Sequence, residues 1–319
     1  MTQLAEKPGG VVRVHRATGR APSGRRRHHL TSTHGRIAWT FVTPFMIIFV
    51  LFTLIPAFMA LGFSFTDIKA SDVRNPFGVG FVYFDTFVKV LGNAGFQRSA
   101  LNTLIYVVIG VPVTMVIAFL LALVLDAGIR RLKGLFRALI YVPVIANVVA
   151  AAVIWQYAFT NQGPINSALS TLGITGPNWL SQPGTAVFVV LLLCIWRNIG
   201  TCMVLFLAGL QAVPEEVHEA ASLDGAGYWR RVASMTVPLL QPTTLLVSVL
   251  MTVNFLNMFD EPFLVTNGGP LNSTRSIAQW VYEQFGYGNI AGSMAGSWVL
   301  LVIVLIIAFL QIRFLRSKA

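Results

Sequence analysis

The chain has 319 residues, 55% of them hydrophobic and 11% charged, with a mean hydropathy of +0.70 and a formal net charge of +11. A soluble domain of this length needs about a quarter of its residues charged to cover its surface, so a water-soluble globule is excluded. The positive balance does not indicate nucleic acid: the basic residues lie in short segments between apolar stretches, the pattern by which a membrane protein marks its cytoplasmic face.

Residues 1–36 form a basic tail (Arg13, Arg16, Arg20, Arg25, Arg26, Arg27 and Arg36) rich in Gly and Pro. That composition is expected to stay disordered. From residue 37 to 319 the chain reads as one membrane domain. Its six apolar runs lie near Ile37–Phe63, Ala100–Leu125, Leu135–Phe159, Ala186–Leu210, Val237–Phe259 and Ala291–Phe314. Each is long enough for the roughly 20 apolar residues that a bilayer core requires. Each must be helical, because lipid offers no partner for backbone N–H and C=O groups. The expected fold is all-α and polytopic, with about six transmembrane helices. The first run is too long for a signal-peptide core and no small-x-small cleavage site follows it, so it reads as a retained anchor. Pro56, Pro112 and Pro143 lie inside runs and predict kinks rather than breaks. Cys194 and Cys202, eight apart in the fourth run, lack a metal-like spacing and read as core thiols.

Orientation follows from Lys and Arg on alternate sides. Arg130, Arg131 and Lys133, then Arg230 and Arg231, then Arg313, Arg316 and Lys318 fall on the side of the basic tail. The other side holds Lys69, Arg74, Lys89, Arg98 and Arg275, and the segment from Thr160 to Thr185 carries no charge. Both termini are therefore expected in the cytoplasm.

The segment from about 211 to 236 differs from the other connections. Pro214-Glu215-Glu216 is a helix start, with proline suited to the first turn and acids opposing the positive end of the dipole. Val217, Ala220 and Ala221 then share one face, and Asp224-Gly225 supplies a stop at which glycine is free to take a positive φ. Trp229, Val232, Ala233 and Thr236 recur at helical spacing, and Pro238 is expected to open the next span. The expected element is a cytoplasmic helix-turn-helix.

Glu219-Ala220-Ala221, followed by Asp224-Gly225-Ala226 and by Pro238, resembles the "EAA" loop of permease subunits of ABC importers. Asn254-Phe255, Phe259-Asp260, Leu264-Val265-Thr266-Asn267-Gly268-Gly269-Pro270 and Ser273-Thr274 resemble the carbohydrate-uptake branch of that family, which includes maltose and glycerol-3-phosphate permeases. Trp196-Arg197-Asn198-x-Gly200 and Leu207-Ala208-Gly209-Leu210 fit the same branch. The resemblance implies a coupling role for Glu219, Ala220, Ala221, Asp224, Gly225 and Ala226, which would dock on an ATPase. It further implies a complex with an ATP-binding subunit dimer, a second, homologous permease and an extracytoplasmic solute-binding protein, in a bacterial cytoplasmic membrane. The solute is expected to be a sugar or sugar-like molecule, and no nucleic acid is involved. ATP and Mg would be bound by the partner, with no cofactor in this chain.

A path for such a solute needs polar groups inside the spans, where charge is costly. The candidates are Asn147 in the third run, Cys194, Arg197, Asn198 and Thr201 in the fourth, and Asn254, Phe255 and Asn257 in the fifth. Amides and a guanidinium suit sugar hydroxyls, and Trp196 or Phe255 could stack on a ring. Buried Asn and Thr also join transmembrane helices to one another, and Arg197 could instead pair with an acid of a partner subunit. Asp260 and Glu261, near the external end of their span, are open to an exposed interface role or to solute contact. Three rival readings lack their signatures: no intramembrane metal or serine-hydrolase set marks an enzyme, neither the inverted repeats nor the broken helices of a secondary transporter are evident, and no Gly-x4-Gly-Lys-Ser/Thr marks an ATPase.

Overall fold

The computed structural model describes residues 32–75, 78–127, 132–214, 216–217, 221, 223, 225 and 227–316. The basic tail before residue 32 lies outside them. Two compact units divide at Ile55. The first contains helix α1 (Ser32–Phe49) and a π-helical turn, Val50–Leu54. Trp39, Phe41 and Phe45 of α1 are exposed, as helix surfaces in lipid are.

The second unit is helical, and the one β-pairing among its described residues is the isolated bridge Thr66–Phe81. It begins with α2 (Ile55–Ser64), α3 (Asp85–Gly92) and α4 (Ala94–Ile105). A π-turn, Tyr106–Gly110, carries α4 into α5 (Val111–Ala127). There follow α6 (Lys133–Ile145), α7 (Val148–Ala158), α8 (Pro164–Thr171) and the long α9 (Pro183–Gln211). After the 212–227 segment come α10 (Tyr228–Arg231), a π-turn at Val232–Thr236 and α11 (Val237–Leu239). The chain ends with α12 (Gln241–Leu256), α13 (Asp260–Thr266), α14 (Ile277–Gly286) and α15 (Ile290–Arg316).

Among the described residues four stretches are single helices long and apolar enough to cross a membrane: Trp39–Ser64, Ala94–Ala127, Pro183–Gln211 and Ile290–Phe314. The third and fifth expected spans are instead bent pairs, α6 with α7 at 92° and Tyr228–Leu239 with α12 at 70°. The six runs are present, but two of them are not continuous rods.

The prolines explain the difference. Each of the three π-turns ends two residues before a proline: Leu54 before Pro56, Gly110 before Pro112, Thr236 before Pro238. A proline ring crowds the carbonyl four residues back. Here those carbonyls belong to Phe52, Val108 and Ser234, at the centre of each wide turn, where the ring has room. The helix therefore continues past the proline. Pro143 has no such turn before it. Its helix stops at Ile145, and Ala146 and Asn147 are extended before α7 begins. Pro143 thus precedes a break, where a kink was expected. Nor does Pro238 open a span: the turn lies beyond it, and Gln241-Pro242 begins α12.

The core is built on α9, against which α5 and α6 pack along their lengths while α12 and α13 cover its remaining sides. Ala118, Ala122, Val189, Val190, Leu193, Met203 and Val247 are almost fully buried there. Small residues let the helices approach. A Cβ on Gly200 would lie 2.8 Å from the backbone oxygen of Ile140, so α6 and α9 touch at this point. α15 packs on α12 and α14, and Gln311 donates from it to the Thr252 hydroxyl at 2.7 Å.

Candidate functional site

Between α9 and α12 the described residues form the helix–turn–helix expected from the sequence. Glu216, Val217, Ala221 and Leu223 are helical, Gly225 turns with φ +75°, and Tyr228–Leu239 is helical again. A left-handed φ costs a non-glycine residue about 1–2 kcal/mol, which is why glycine stands there. Ala221 is buried. Glu219, Ala220, Asp224 and Ala226 lie outside the described residues. On the second helix the buried residues are Val232 and Thr236, whereas Trp229 is 67% exposed and Ala233 is also exposed. Of the residues that recur at helical spacing, Val232 and Thr236 are thus buried and Trp229 and Ala233 are not.

The polar residues singled out within the spans occupy different settings. Asn147 caps α7: its side-chain oxygen accepts from Val149 and Ala150 N–H, at the exposed bend between α6 and α7. Cys194 is buried with its thiol toward the Met258 sulfur, and Cys202 is buried too. Asn198 is half-buried and donates to the Cys194 carbonyl one turn back, and Thr201 is half-buried beside it. Asn254 and Asn257 are exposed at the end of α12, where Asn257 donates to the Val253 carbonyl. Phe255 is a core residue, 1% exposed, and a Cβ on Gly110 would lie 2.3 Å from its ring. In this conformation its faces are used for packing, whereas Trp196 is 37% exposed. Asn198, Thr201, Asn254 and Asn257 thus retain accessible surface; Cys194 and Phe255 do not.

Arg197 pairs with Glu261 of the same chain, Nη1 to Oε1, at 2.5 Å. Glu261 is 6% exposed, in the first turn of α13. It occupies neither an exposed interface nor an open mouth, and Arg197 needs no partner subunit for its counter-charge. A lone charge in an apolar bundle is costly; each of these residues neutralises the other. Gln156 of α7 supports the same short helix, donating to the carbonyls of Leu264 and Val265 at 2.8 and 3.0 Å.

Comparison with known proteins places this arrangement. The family described as binding-protein-dependent transport system inner membrane component matches residues 90–317. The chain belongs to that family. It is 30% identical over 291 residues to the lactose transport system permease protein LacF of Rhizobium radiobacter, covering 88% of this chain and 94% of the relative. It is 28% identical to the trehalose/maltose transport system permease protein MalF of Thermococcus litoralis, over 89% of this chain and 95% of the relative. A chain of a bacterial alginate ABC transporter, solved in complex with an alginate pentasaccharide-bound periplasmic protein, superposes with a TM-score of 0.76 at 20% identity. That match covers 89% of this chain and 96% of the other and shows a shared fold. The Glu219-Ala220-Ala221 motif belongs to the same permease family.

The permease's Thr266–Ser276 segment has a physical basis that spacing did not reveal. Asn267, Gly268, Leu271 and Asn272 all have positive φ, so the loop is tightly coiled and leaves carbonyls without helical partners. α4 and its π-turn supply those partners. Asn102 donates to the carbonyls of Asn272 and Arg275 at 2.8 and 2.9 Å, and the Tyr106 hydroxyl donates to the Thr274 carbonyl at 2.8 Å. Thr103 accepts the Ile277 N–H. Arg275 reaches back to the Ser99 hydroxyl, the Gly95 carbonyl and Glu283, each at 3.0 Å. The available signal was an Asn and a Tyr inside an otherwise apolar run. Gln156 and Asn102 were missed because their partners lie 108 to 173 positions away.

Proposed function

We propose that this permease is one membrane subunit of a binding-protein-dependent importer that moves a sugar or sugar-like solute inward. Alternating access would be driven by ATP hydrolysis in a partner subunit. The observation that carries this reading is the helix–glycine–helix element at 216–239, set between two membrane helices with Gly225 at φ +75°. A short helical connection of this kind would pass movement of a docked ATPase to α9 and α12. The partners are an ATP-binding subunit dimer, which binds ATP and Mg, together with a second homologous permease and an extracytoplasmic solute-binding protein. The membrane is a bacterial cytoplasmic membrane with both termini inside, the orientation that the Lys and Arg distribution supports.

The sugar class rests on relatives whose names specify lactose, arabinooligosaccharides and trehalose/maltose transport. On the path, Arg197, Asn198, Thr201, Asn254 and Asn257 would meet solute hydroxyls with donors and acceptors, while Cys194 and Phe255 shape the wall behind them. Asn147 would act at the α6–α7 bend.

Reconstitution tests the reading. The chain, purified with the subunits that accompany it, should show ATP-dependent uptake of an oligosaccharide and ATPase activity stimulated by the loaded binding protein. Uptake by the chain alone, with no ATPase subunit present, would overturn it.

A further inference from the structure

At the membrane end where α5, α9 and the 228–236 helix meet, a cavity of about 180 Å³ opens between oppositely charged residues that do not pair. Arg231 and Asp126 both line it, yet among the described residues neither side chain makes an ion pair or a hydrogen bond. The Arg231 Nε is buried without a partner. Lys133 lies close by, but its ammonium donates to the Asp126 backbone carbonyl at 2.8 Å and not to the carboxylate. Leu123, Leu210 and Val232 form the apolar part of the wall, and Tyr228 the rim. Beside it Trp229 stands edge-on to Tyr228 at 5.4 Å, 67% exposed. Paired aromatics of this kind sit at the headgroup level of a bilayer.

A cation and an anion that face one cavity without meeting are complementary to a ligand that carries both charges. We infer that this cavity holds the zwitterionic headgroup of a phosphatidylethanolamine. Its phosphate lies on the Arg231 guanidinium, which presents several donors to phosphate oxygens. Its ammonium donates to the Asp126 carboxylate, and its glycerol and first methylenes lie on Leu123, Leu210 and Val232. Phosphatidylcholine would satisfy the arginine alone, because its methylated nitrogen has no N–H to donate. Phosphatidylglycerol would offer phosphate but no cation to Asp126. The lipid would then brace the joint between α5 and the helix that follows Gly225.

The test is native mass spectrometry of the full chain in its purified complex, after exchange into nanodiscs of phosphatidylethanolamine, phosphatidylglycerol or phosphatidylcholine. Retained lipid is counted, with water-soluble phosphoethanolamine as competitor. Wild type should retain phosphatidylethanolamine about tenfold better than either other lipid, the equivalent of about 1.4 kcal/mol. Asp126→Asn should abolish that preference. Arg231→Gln should lose retention of all three lipids, and Arg231→Lys should keep most of it, which separates binding from misfolding. Equal retention of the three lipids by wild type would overturn the inference, as would unchanged retention in Arg231→Gln. Displacement by phosphoethanolamine at concentrations comparable to the lipid would assign the site to a soluble ligand instead. Loss of ATPase co-purification in Arg231→Gln with lipid retention intact would assign it to the protein partner.

Discussion

Arg197 and Glu261, 64 positions apart, form an ion pair that fastens the middle of α9 to the first turn of α13. The Arg197 side chain is 22% exposed and that of Glu261 8%, so solvent screens the pair weakly. Removing one partner leaves an uncompensated charge in an apolar setting, an effect of about 3–5 kcal/mol for buried pairs. Arg197→Met and Glu261→Gln should therefore each lower the thermal stability of the purified complex. The double variant, which buries no net charge, should be more stable than either. If thermal unfolding of the double variant shows the sum of the two single losses, the pair contributes no coupling.

A second prediction concerns the loop that α4 clamps. Asn102→Leu removes the donor to two carbonyls of a coiled segment and leaves them buried. Each unsatisfied group costs about 1–3 kcal/mol. Hydrogen exchange at residues 267–276 should rise in this variant while the exchange of α9 stays unchanged. Unaltered protection of the loop would mean that Arg275 and Tyr106 hold it alone.

The extent to which the sequence revealed this arrangement depends on the range of each interaction. Six apolar runs, the helix–turn–helix and the left-handed Gly225 were legible because each depends on neighbours within a few residues. The breaks at Ala146–Asn147 and at Leu240 were not legible. Proline signals the loss of one hydrogen bond, but nothing in the local pattern says whether a π-turn will absorb it. The residues of the ion pair were both noted, yet nothing local says that Arg197 finds Glu261, since helix packing alone sets that distance. The burial of Phe255 has the same origin: it fills the space that the missing side chain of Gly110 leaves on a helix 145 positions earlier.

Topology can be tested without disturbing the core. Cys194 and Cys202 are buried, so an impermeant thiol reagent should give little background in intact cells. With both termini cytoplasmic, a cysteine at Gln162, which is exposed, should be labelled, and one at Thr31 should not. The reverse pattern would invert the orientation and, with it, the side on which an ATPase could dock.

The last prediction concerns coupling. Closure of a separate ATPase can move membrane helices only through an element that neither bends nor slips. Among the described residues of 216–239, one glycine takes the left-handed region, at φ +75°, between residues that are helical. A Cβ added there meets no atom within 4 Å, so a substitution acts through backbone strain and not through collision. Gly225→Val should abolish uptake, because a β-branched residue resists positive φ and re-aims the helix that carries Ala221. Gly225→Asn should retain most of it, because asparagine tolerates that conformation. Glu219→Lys should also abolish uptake, by reversing charge within the motif that would dock. In all three variants the membrane helices should remain inserted, since the substitutions lie outside the spans. Solute-stimulated ATPase activity in the reconstituted complex separates the outcomes. Loss in Gly225→Val with retention in Gly225→Asn ties coupling to the backbone conformation at this residue, whereas full stimulation and uptake in Gly225→Val and Glu219→Lys would remove the element from the coupling path.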